Sequence, residues 1–549
     1  MLMKVLLTTL NSKYIHQNLA IGLLYHLNRD YRGLNIKEFA TKMPVEEVAD
    51  YCSSFDLIAF SCYIWNIEKT LEVAKQIKHN NPSCKILLGG PEVSYEYYDV
   101  IELPYVDFII VDEGEISFSV FLKKYPELNS IPGLVWKKDG EIISNELPEP
   151  FDLNSLKGIN PYLHIPKDEL KNKVCYVEAS RGCPNRCSFC LAGLQNRLRY
   201  MPMDYIHGSL RYLMENGRTI KFLDRTFNAN QKFAISIFQF ILDNRRPSNV
   251  FQFEIKADIA QNELIEFVCN KVPKGVFRFE IGIQTLNDRA NDAVHRRQNF
   301  ENIKSFVRRV SERVEVHLDL IVGLPYDYYD DIKYTFEEVF KLFAPELQLG
   351  FLKFLKGTPI RKDYKQHGYR FQQHPPYQVL ESKYLSANEI KQIEHVEHAL
   401  DLFWNKKRAI NTLRYVARKY SIFQFLKGLG EIWLKTYSHK NVGLVSLYNT
   451  LFHFSKSNYP DDVILIELIT LDYYLSHKIK PASRFIPEIE KQQRITLYDK
   501  LGLNHHKYRY AFHPVHFDVK HLLQNNDVRF KTDILVVEFN GIDYPKVVV

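Results

Sequence analysis

The chain has 549 residues, 46 % of them apolar and 25 % charged, with a net charge of +7. That length exceeds one ordinary domain, and that composition excludes a disordered chain. The mild basicity permits an anionic substrate or nucleic acid but demands neither. The 34 Tyr and 36 Phe suit large cores and cavities that hold flat cofactors.

The opening run, Met1-Leu2-Met3-Lys4-Val5-Leu6-Leu7, is short, and no small-residue cleavage site follows it. It reads as a first buried strand rather than a signal peptide. No apolar run approaches the length of a membrane span, so the cytoplasm is the expected location. Short apolar runs then alternate with amphipathic stretches. Strands are expected at Lys4–Leu10, Leu57–Ile64, Lys85–Leu88 and Phe108–Val111, and helices at Gln17–Leu27, Asn66–Lys78 and Glu115–Lys124. Runs that are apolar throughout fit parallel strands covered on both faces. They predict a doubly wound, Rossmann-like α/β domain over 1–140, with ligands at the carboxyl ends of its strands.

Residues 141–172 carry Pro148, Pro150, Pro161 and Pro166 without clear periodicity and read as a linker. A second βα series follows over 173–375. Its six strands are expected at Val174–Ala179, Ile220–Asp224, Phe251–Ala257, Val276–Ile283, Val314–Val322 and Leu347–Phe354, with helices between them. Six βα units suggest a partial (βα)6 barrel of the TIM type, with its site at the C-terminal strand ends. A mostly helical α+β domain is expected over 376–549. Ile390, Ile393, Val396, Leu400 and Phe403 recur there at helical spacing, and Asn540-Gly541 is a plausible hairpin turn.

The eight cysteines are sparse except for one group, Cys183, Cys187 and Cys190, in the loop after the first barrel strand. Such spacing lets thiolates from one loop converge on an iron–sulfur cluster. Three protein ligands on a cubane leave one iron open to an exogenous ligand. A structural zinc site is the rival, but it wants four donors, and no fourth Cys or His lies at typical spacing.

With Phe189 before its last cysteine, this motif resembles the signature of the radical SAM superfamily. In that family S-adenosylmethionine (SAM) chelates the open iron, and reductive cleavage yields a 5′-deoxyadenosyl radical. Phe222-Leu223-Asp224-Arg225-Thr226-Phe227 resembles the segment that orients the SAM amino group. Phe253-Glu254-Ile255 looks like the third strand. Phe279-Glu280-Ile281-Gly282-Ile283-Gln284-Thr285 resembles the Gly-Ile-Gln-Ser fourth strand, with Thr285 replacing Ser. His317-Leu318-Asp319 through Gly323-Leu324-Pro325 resembles the fifth. The resemblance thus implies Cys183, Cys187 and Cys190 as cluster ligands. It implies Phe189, Asp224, Arg225, Thr226, Glu254, Glu280, Gln284, Asp319 and Gly323 around SAM. Plainer readings stand beside these: Glu280 as half of a salt bridge, Gln284 and Asp319 as structural hydrogen-bonders, Gly323 as a turn residue and His317 as a packed histidine.

The amino-terminal region, with Leu88-Gly89-Gly90-Pro91-Glu92 after a buried strand, resembles the cobalamin-binding domain of cobalamin-dependent radical SAM enzymes. Gly89 and Gly90 let a bulky ligand approach the backbone. Asn11-Ser12-Lys13-Tyr14, Ser61 with Tyr63 and Trp65, and Glu113-Gly114-Glu115 would meet at the same sheet edge. The Asp-x-His-x-x-Gly motif that supplies a lower histidine ligand to cobalt is absent, and Trp65 or Tyr63 could shield that face instead. Cys52, Cys62 and Cys84 read as buried small hydrophobes rather than ligands of a second cluster.

Residues 376–549 look like the uncharacterised domain appended to some such proteins. Trp404-Asn405-Lys406-Lys407-Arg408 reads as a solvated helix face, and His505, His506, His513 and His516 as surface histidines. The resemblance implies a cobalamin-dependent methyltransferase acting on an unactivated carbon, with a [4Fe–4S] cluster, SAM and cobalamin as cofactors. A small-molecule substrate and an external electron donor are expected, without membrane or nucleic acid. The alternatives are a radical rearrangement or cyclisation, a methylthiotransferase, and a non-enzymatic cobalamin- or SAM-binding module.

Overall fold

The computed structural model describes residues 3–195, 197–438, 442–482 and 484–548. The chain divides into two compact units. One comprises Met1–Gly282, Arg289–Val316 and Phe351–Lys383; the other comprises Ile283–Asp288, His317–Gly350 and Tyr384–Val549.

The first unit begins with β1 (Val5–Asn11), α1 (Leu19–Leu27), β2 (Leu34–Ala40), α2 (Val45–Cys52), β3 (Leu57–Ser61), α3 (Ile67–Asn80) and β4 (Lys85–Gly89). β5 (Phe108–Ile110), α4 (Gly114–Lys124), β6 (Leu134–Lys138) and β7 (Glu141–Ser144) complete one sheet, ordered β2-β1-β3-β4-β5-β6-β7. The first five strands run parallel. Alternate residues feed two apolar layers. Leu6, Ile58, Phe60, Ile86 and Leu88 face the side covered by α2 and α3, while Leu7, Leu57, Ala59, Leu87 and Phe108 face the side with Phe118 and Phe121 of α4. Helices on both faces make the domain doubly wound. The order reverses between β1 and β3, and the crevice outside that switch point is where such folds take ligands.

β2 and α2 were not foreseen, and neither was the antiparallel β6–β7 hairpin. The hairpin turns on Asp139-Gly140, both at positive φ (52° and 85°), which is the two-residue turn that a twisted ribbon favours. The sheet therefore reaches Ser144, inside the stretch expected as linker. β3 stops at Ser61, short of Ile64, because the Asn66 side chain accepts from the Tyr63 N–H (2.7 Å) and turns the chain.

Next come β8 (Val174–Val177), β9 (Thr219–Phe222), β10 (Val250–Glu254) and β11 (Phe277–Gln284), paired in parallel. Phe222, Phe253, Phe277 and Phe279 point to one face; Phe253, Phe277 and Phe279 meet the Phe238 ring of a covering helix, and Phe222 stacks on Phe253. Lys221, Gln252 and Glu280 occupy the opposite face.

The strands Glu315–Val322 and Glu346–Phe351, most of whose residues belong to the second unit, lie where the last two were expected. Helices Ala387–Ala399, Ile410–Lys419, Ile422–Tyr437, Leu444–Asn458 and Val463–Leu475 follow, then a three-stranded antiparallel sheet from Arg509 to Val548. Two expectations are corrected there. Trp404 is buried and its indole N–H donates to Ala344 O (3.0 Å), so it is core rather than a solvated face. His513 is also fully buried, its ring nitrogens 3.0 Å from Pro487 O and Tyr474 Oη. Among the described residues no helix is long and apolar enough to cross a membrane.

Candidate active site

The cysteine loop is closed at its base by a short antiparallel pairing of Ser180-Arg181 with Arg199-Tyr200. Gly182 makes the closure possible. Its φ is +87°, and a Cβ there would sit 2.5 Å from Arg197 O. Cys183 and Cys187 are buried, and Cys190 is partly exposed. Burial pushes the Cys187 thiol up, Arg296 opposes that, and Cys190 and Cys183 add to it. All eight cysteines are free thiols. Among the described residues no three His, Cys, Asp or Glu side chains converge on a single ion. A cubane would take its ligands on different irons, so its three thiolates need not meet at one point. Donors surround the sulfurs. Thr226 Oγ1 lies 3.4 Å and Asn185 Nδ2 3.6 Å from Cys183 Sγ, and Arg296 Nη1 lies 4.0 Å from Cys187 Sγ. Such contacts offset the charge that thiolate ligands bring.

Around this loop, Asp224 is buried and accepts from Ala179 N–H (2.9 Å) and Ser180 Oγ–H (2.5 Å). Burial raises its carboxyl to about 7, and those two hydrogen bonds oppose the rise. Asp224 is therefore committed to the base of the cysteine loop. Arg225 pairs with Glu254 (3.0 Å) and keeps much of its side chain exposed. Glu280 takes the salt-bridge reading: Lys221 Nζ lies 2.9 Å away, and Gln252 also donates to it. Phe189 is half-buried between Cys187 and Cys190. Gln284, Asp319 and Gly323 belong to the second unit. Gln284 and Gly323 have positive φ (69° and 95°), and Asp319 lies 3.0 Å from His317 Nε2.

A cavity of about 680 Å³ joins the carboxyl edge of the Rossmann-like sheet to the cysteine loop. From the sheet side it is lined by Asn11 and Ser12 after β1, Ser61, Tyr63 and Trp65 after β3, Gly89, Gly90 and Pro91 after β4, and Glu113, Gly114 and Glu115 at the start of α4. From the other side come Tyr176, Glu178, Arg181, Leu191, Leu223 and Arg225. Gly90 has a φ of +101°, and a Cβ there would meet Cys62 O at 2.6 Å; at Gly89 the nearest atom would be 3.8 Å away. The backbone is thus bare where a large ligand would approach. Trp65 is half exposed and stacks on Tyr63 at 4.4 Å with an interplanar angle of 5°.

Lys13, Tyr14 and Glu92 do not line the cavity. Tyr14 bonds Glu169 (3.2 Å) on the surface. Glu92 is buried on the far side of its loop, where Tyr377 Oη–H donates to it (2.5 Å).

Sequence reasoning missed Arg181 and Arg296. The Arg181 guanidinium meets Glu115 (2.6 Å), Glu178 (3.1 Å) and Glu113 (3.6 Å), and Arg199 also pairs with Glu113. Burial works against the Arg181 charge, but the three carboxylates hold its pKa well above the ordinary arginine value. Arg296 donates to Gly282 O and to Gln298 (3.1 Å). Its basic run, His295-Arg296-Arg297, just after the helix Asp288–Ala293, was the available signal.

Residues 6–122 match the B12 binding domain, 177–339 the Radical SAM superfamily, and 365–536 the protein family of unknown function DUF4080. The chain carries a radical SAM domain and, amino-terminal to it, a B12-binding domain. Such domains imply a [4Fe–4S] cluster, SAM and cobalamin. The chain is 30 % identical over 162 residues to the cobalamin-dependent radical SAM methyltransferase TokK of Streptomyces tokunonensis, covering 27 % of this chain and 23 % of TokK. It therefore spans about a quarter of that relative's length. It is 26 % identical to the uncharacterized methyltransferase PH0819 of Pyrococcus horikoshii, over 59 % of this chain and 72 % of that one. Among solved structures, the radical SAM methyltransferase TsrM of Kitasatospora setae, with cobalamin and a [4Fe–4S] cluster bound, superposes with a TM-score of 0.58. That match is at 12 % identity and covers 79 % of this chain and 98 % of TsrM. At that identity the likeness is one of fold: a Rossmann-like domain followed by a partial α/β barrel.

Proposed function

We propose that this chain is a cobalamin-dependent radical SAM methyltransferase acting on an unactivated carbon of a small molecule. The observation that carries the reading is the single cavity running from the Rossmann sheet edge to the cysteine loop. A methyl carrier and a radical source need to reach one substrate atom, and a shared chamber provides that.

Cys183, Cys187 and Cys190 would hold the cluster, with Thr226, Asn185 and Arg296 donating toward their sulfurs. Bound there, the cluster and cobalamin supply reductive SAM cleavage and methyl carriage. Arg225 and Glu254 would offer opposite charges to the amino-acid end of SAM. Asp224 acts at one remove, by holding Ala179 and Ser180. The stacked Tyr63 and Trp65 would pack against the bound cobalamin. His16 also lines the cavity, but its Nδ1 lies 2.7 Å from Tyr176 Oη. Electrons come from an external donor, and a reducible cluster suits the cytoplasm. The domain limits 1–140, 141–172, 173–375 and 376–549 belong to this reading, with the first domain extended to Ser144 by the β6–β7 hairpin.

The test is anaerobic purification with cobalamin supplied, then product analysis. 5′-Deoxyadenosine together with S-adenosylhomocysteine supports methyl transfer. Deoxyadenosine alone supports rearrangement or cyclisation instead. SAM binding without cleavage would leave only a binding module. Cys187→Ala should abolish cleavage.

A further inference from the structure

Glu92 and Glu96 lie on the loop after β4, whose Gly89, Gly90 and Tyr95 face the cavity. Both carboxylates turn the other way, onto residues 353–377. Tyr377 Oη–H and Lys356 Nζ reach Glu92 (2.5 and 3.4 Å). Arg361 Nε meets both oxygens of Glu96 (3.0 and 2.8 Å), and Gly357 N–H donates to it (3.3 Å). The Arg361 guanidinium also lies over the Tyr377 ring at 4.8 Å. Gly357, at φ +83°, packs so tightly that a Cβ would fall 2.3 Å from the Tyr95 ring. One residue before Arg361, the Ile360 N–H donates to Ser188 O (3.1 Å), inside the cysteine loop between Cys187 and Cys190.

A single turn of chain, Gly357 to Arg361, therefore touches the loop proposed to cradle cobalamin and the loop proposed to hold the cluster. We infer that residues 353–377 act as a strap that sets the spacing between the two cofactors, with Arg361 and Tyr377 as its positioning residues. The inference rests on the proposed function, because only a shared reaction makes that spacing matter. Neither residue lines the cavity, so their effect passes through Glu96 and Glu92. A displacement of about 1 Å between reacting groups can cost about a hundredfold in rate, so a rigid tie is chemically worthwhile.

The test uses the full chain, reconstituted anaerobically, as wild type and as the Arg361→Met and Tyr377→Phe variants. Hydroxocobalamin is titrated by visible absorption, cluster iron is measured, and the magnetic coupling between cob(II)alamin and the reduced cluster is read by EPR. We expect a Kd for hydroxocobalamin raised about tenfold, corresponding to about 1.4 kcal/mol, and a broadened distribution of coupling, with cluster iron at the wild-type level. A charge swap, Glu96→Arg with Arg361→Glu, should recover part of the affinity. Should Arg361→Met fold poorly, Tyr377→Phe keeps the test decisive, since it removes one hydroxyl. Variants that match wild type in both affinity and coupling overturn the strap while leaving the proposed function standing. A wild-type protein that binds no hydroxocobalamin overturns both.

Discussion

Arg181 and Glu115 lie 2.6 Å apart, and that pair ties the base of the cysteine loop to the first turn of α4 at the rim of the Rossmann crevice. Both side chains are almost fully buried, and Glu178 and Glu113 share the same guanidinium. Removing one partner from such a group strands the others without counter-charge, which costs about 3–5 kcal/mol. Arg181→Met should therefore lower stability by that order in denaturant unfolding and reduce cobalamin and iron loading together. Arg181→Lys should not restore it, because a single ammonium cannot match a fork that serves three carboxylates.

Adjacent glycines should respond differently. Gly90→Ala forces a side chain into left-handed backbone and against Cys62 O, so it should destabilise by about 1–3 kcal/mol. Gly89→Ala meets nothing within the fold closer than 3.8 Å. Its melting temperature should stay near wild type while hydroxocobalamin affinity falls about tenfold or more. Equal behaviour of the two variants would count against a ligand at that edge.

The amino-terminal thiols should be inert toward iron. Cys52, Cys62 and Cys84 are fully buried, and burial pushes their pKa values up, to about 12 for Cys52 and about 11 for Cys84. Cys62→Ala should leave iron at about four per chain. A fall from about eight to about four on that change would instead support a second cluster and a methylthiotransferase.

In the second unit, Asp472 is buried and accepts from Thr412 N–H (2.8 Å), Thr412 Oγ1–H (2.7 Å) and Asn411 Nδ2–H (2.8 Å). Burial outweighs these bonds and raises its carboxyl to about 6 from 3.8. A folded-state pKa above the unfolded one means the native state takes up the proton first, so this group favours folding as pH falls through 6 toward 4. Between pH 7 and pH 5, wild type should gain about 1 kcal/mol relative to Asp472→Asn. Paired melting curves check the sign, and a relative loss on acidification would refute it.

What could be read in advance followed physical range. Strands such as Val5–Asn11 and Lys85–Gly89 are apolar along most of their length, and the cysteine motif is local, so both showed in the sequence. β2 escaped because an edge strand, Leu34-Asn35-Ile36-Lys37-Glu38-Phe39-Ala40, buries only Leu34 and Phe39 and carries mostly polar residues between them. Strand Arg509–Phe517 escaped because Pro514 and two histidines interrupt its apolar pattern, although Pro514 points to solvent and His513 inward. Helix Ala387–Ala399 continues as a π-turn over Leu400–Asn405, which is why Leu400 and Phe403 stay buried beyond the α-helical stretch. Glu92 and Arg181 could not be placed, since their partners, Tyr377 and Glu115, are separated from them by 285 and 66 residues. Side-chain direction at such sites is decided by tertiary packing, which local spacing does not encode.

The central claim is a cubane held by three thiolates with one iron open beside the cobalamin cavity. The most direct measurement is the EPR spectrum of the reduced, reconstituted protein before and after adding SAM. A [4Fe–4S]⁺ signal whose g-values move on SAM addition is the expected result. A cubane signal indifferent to SAM, or no cubane signal at all, would contradict it.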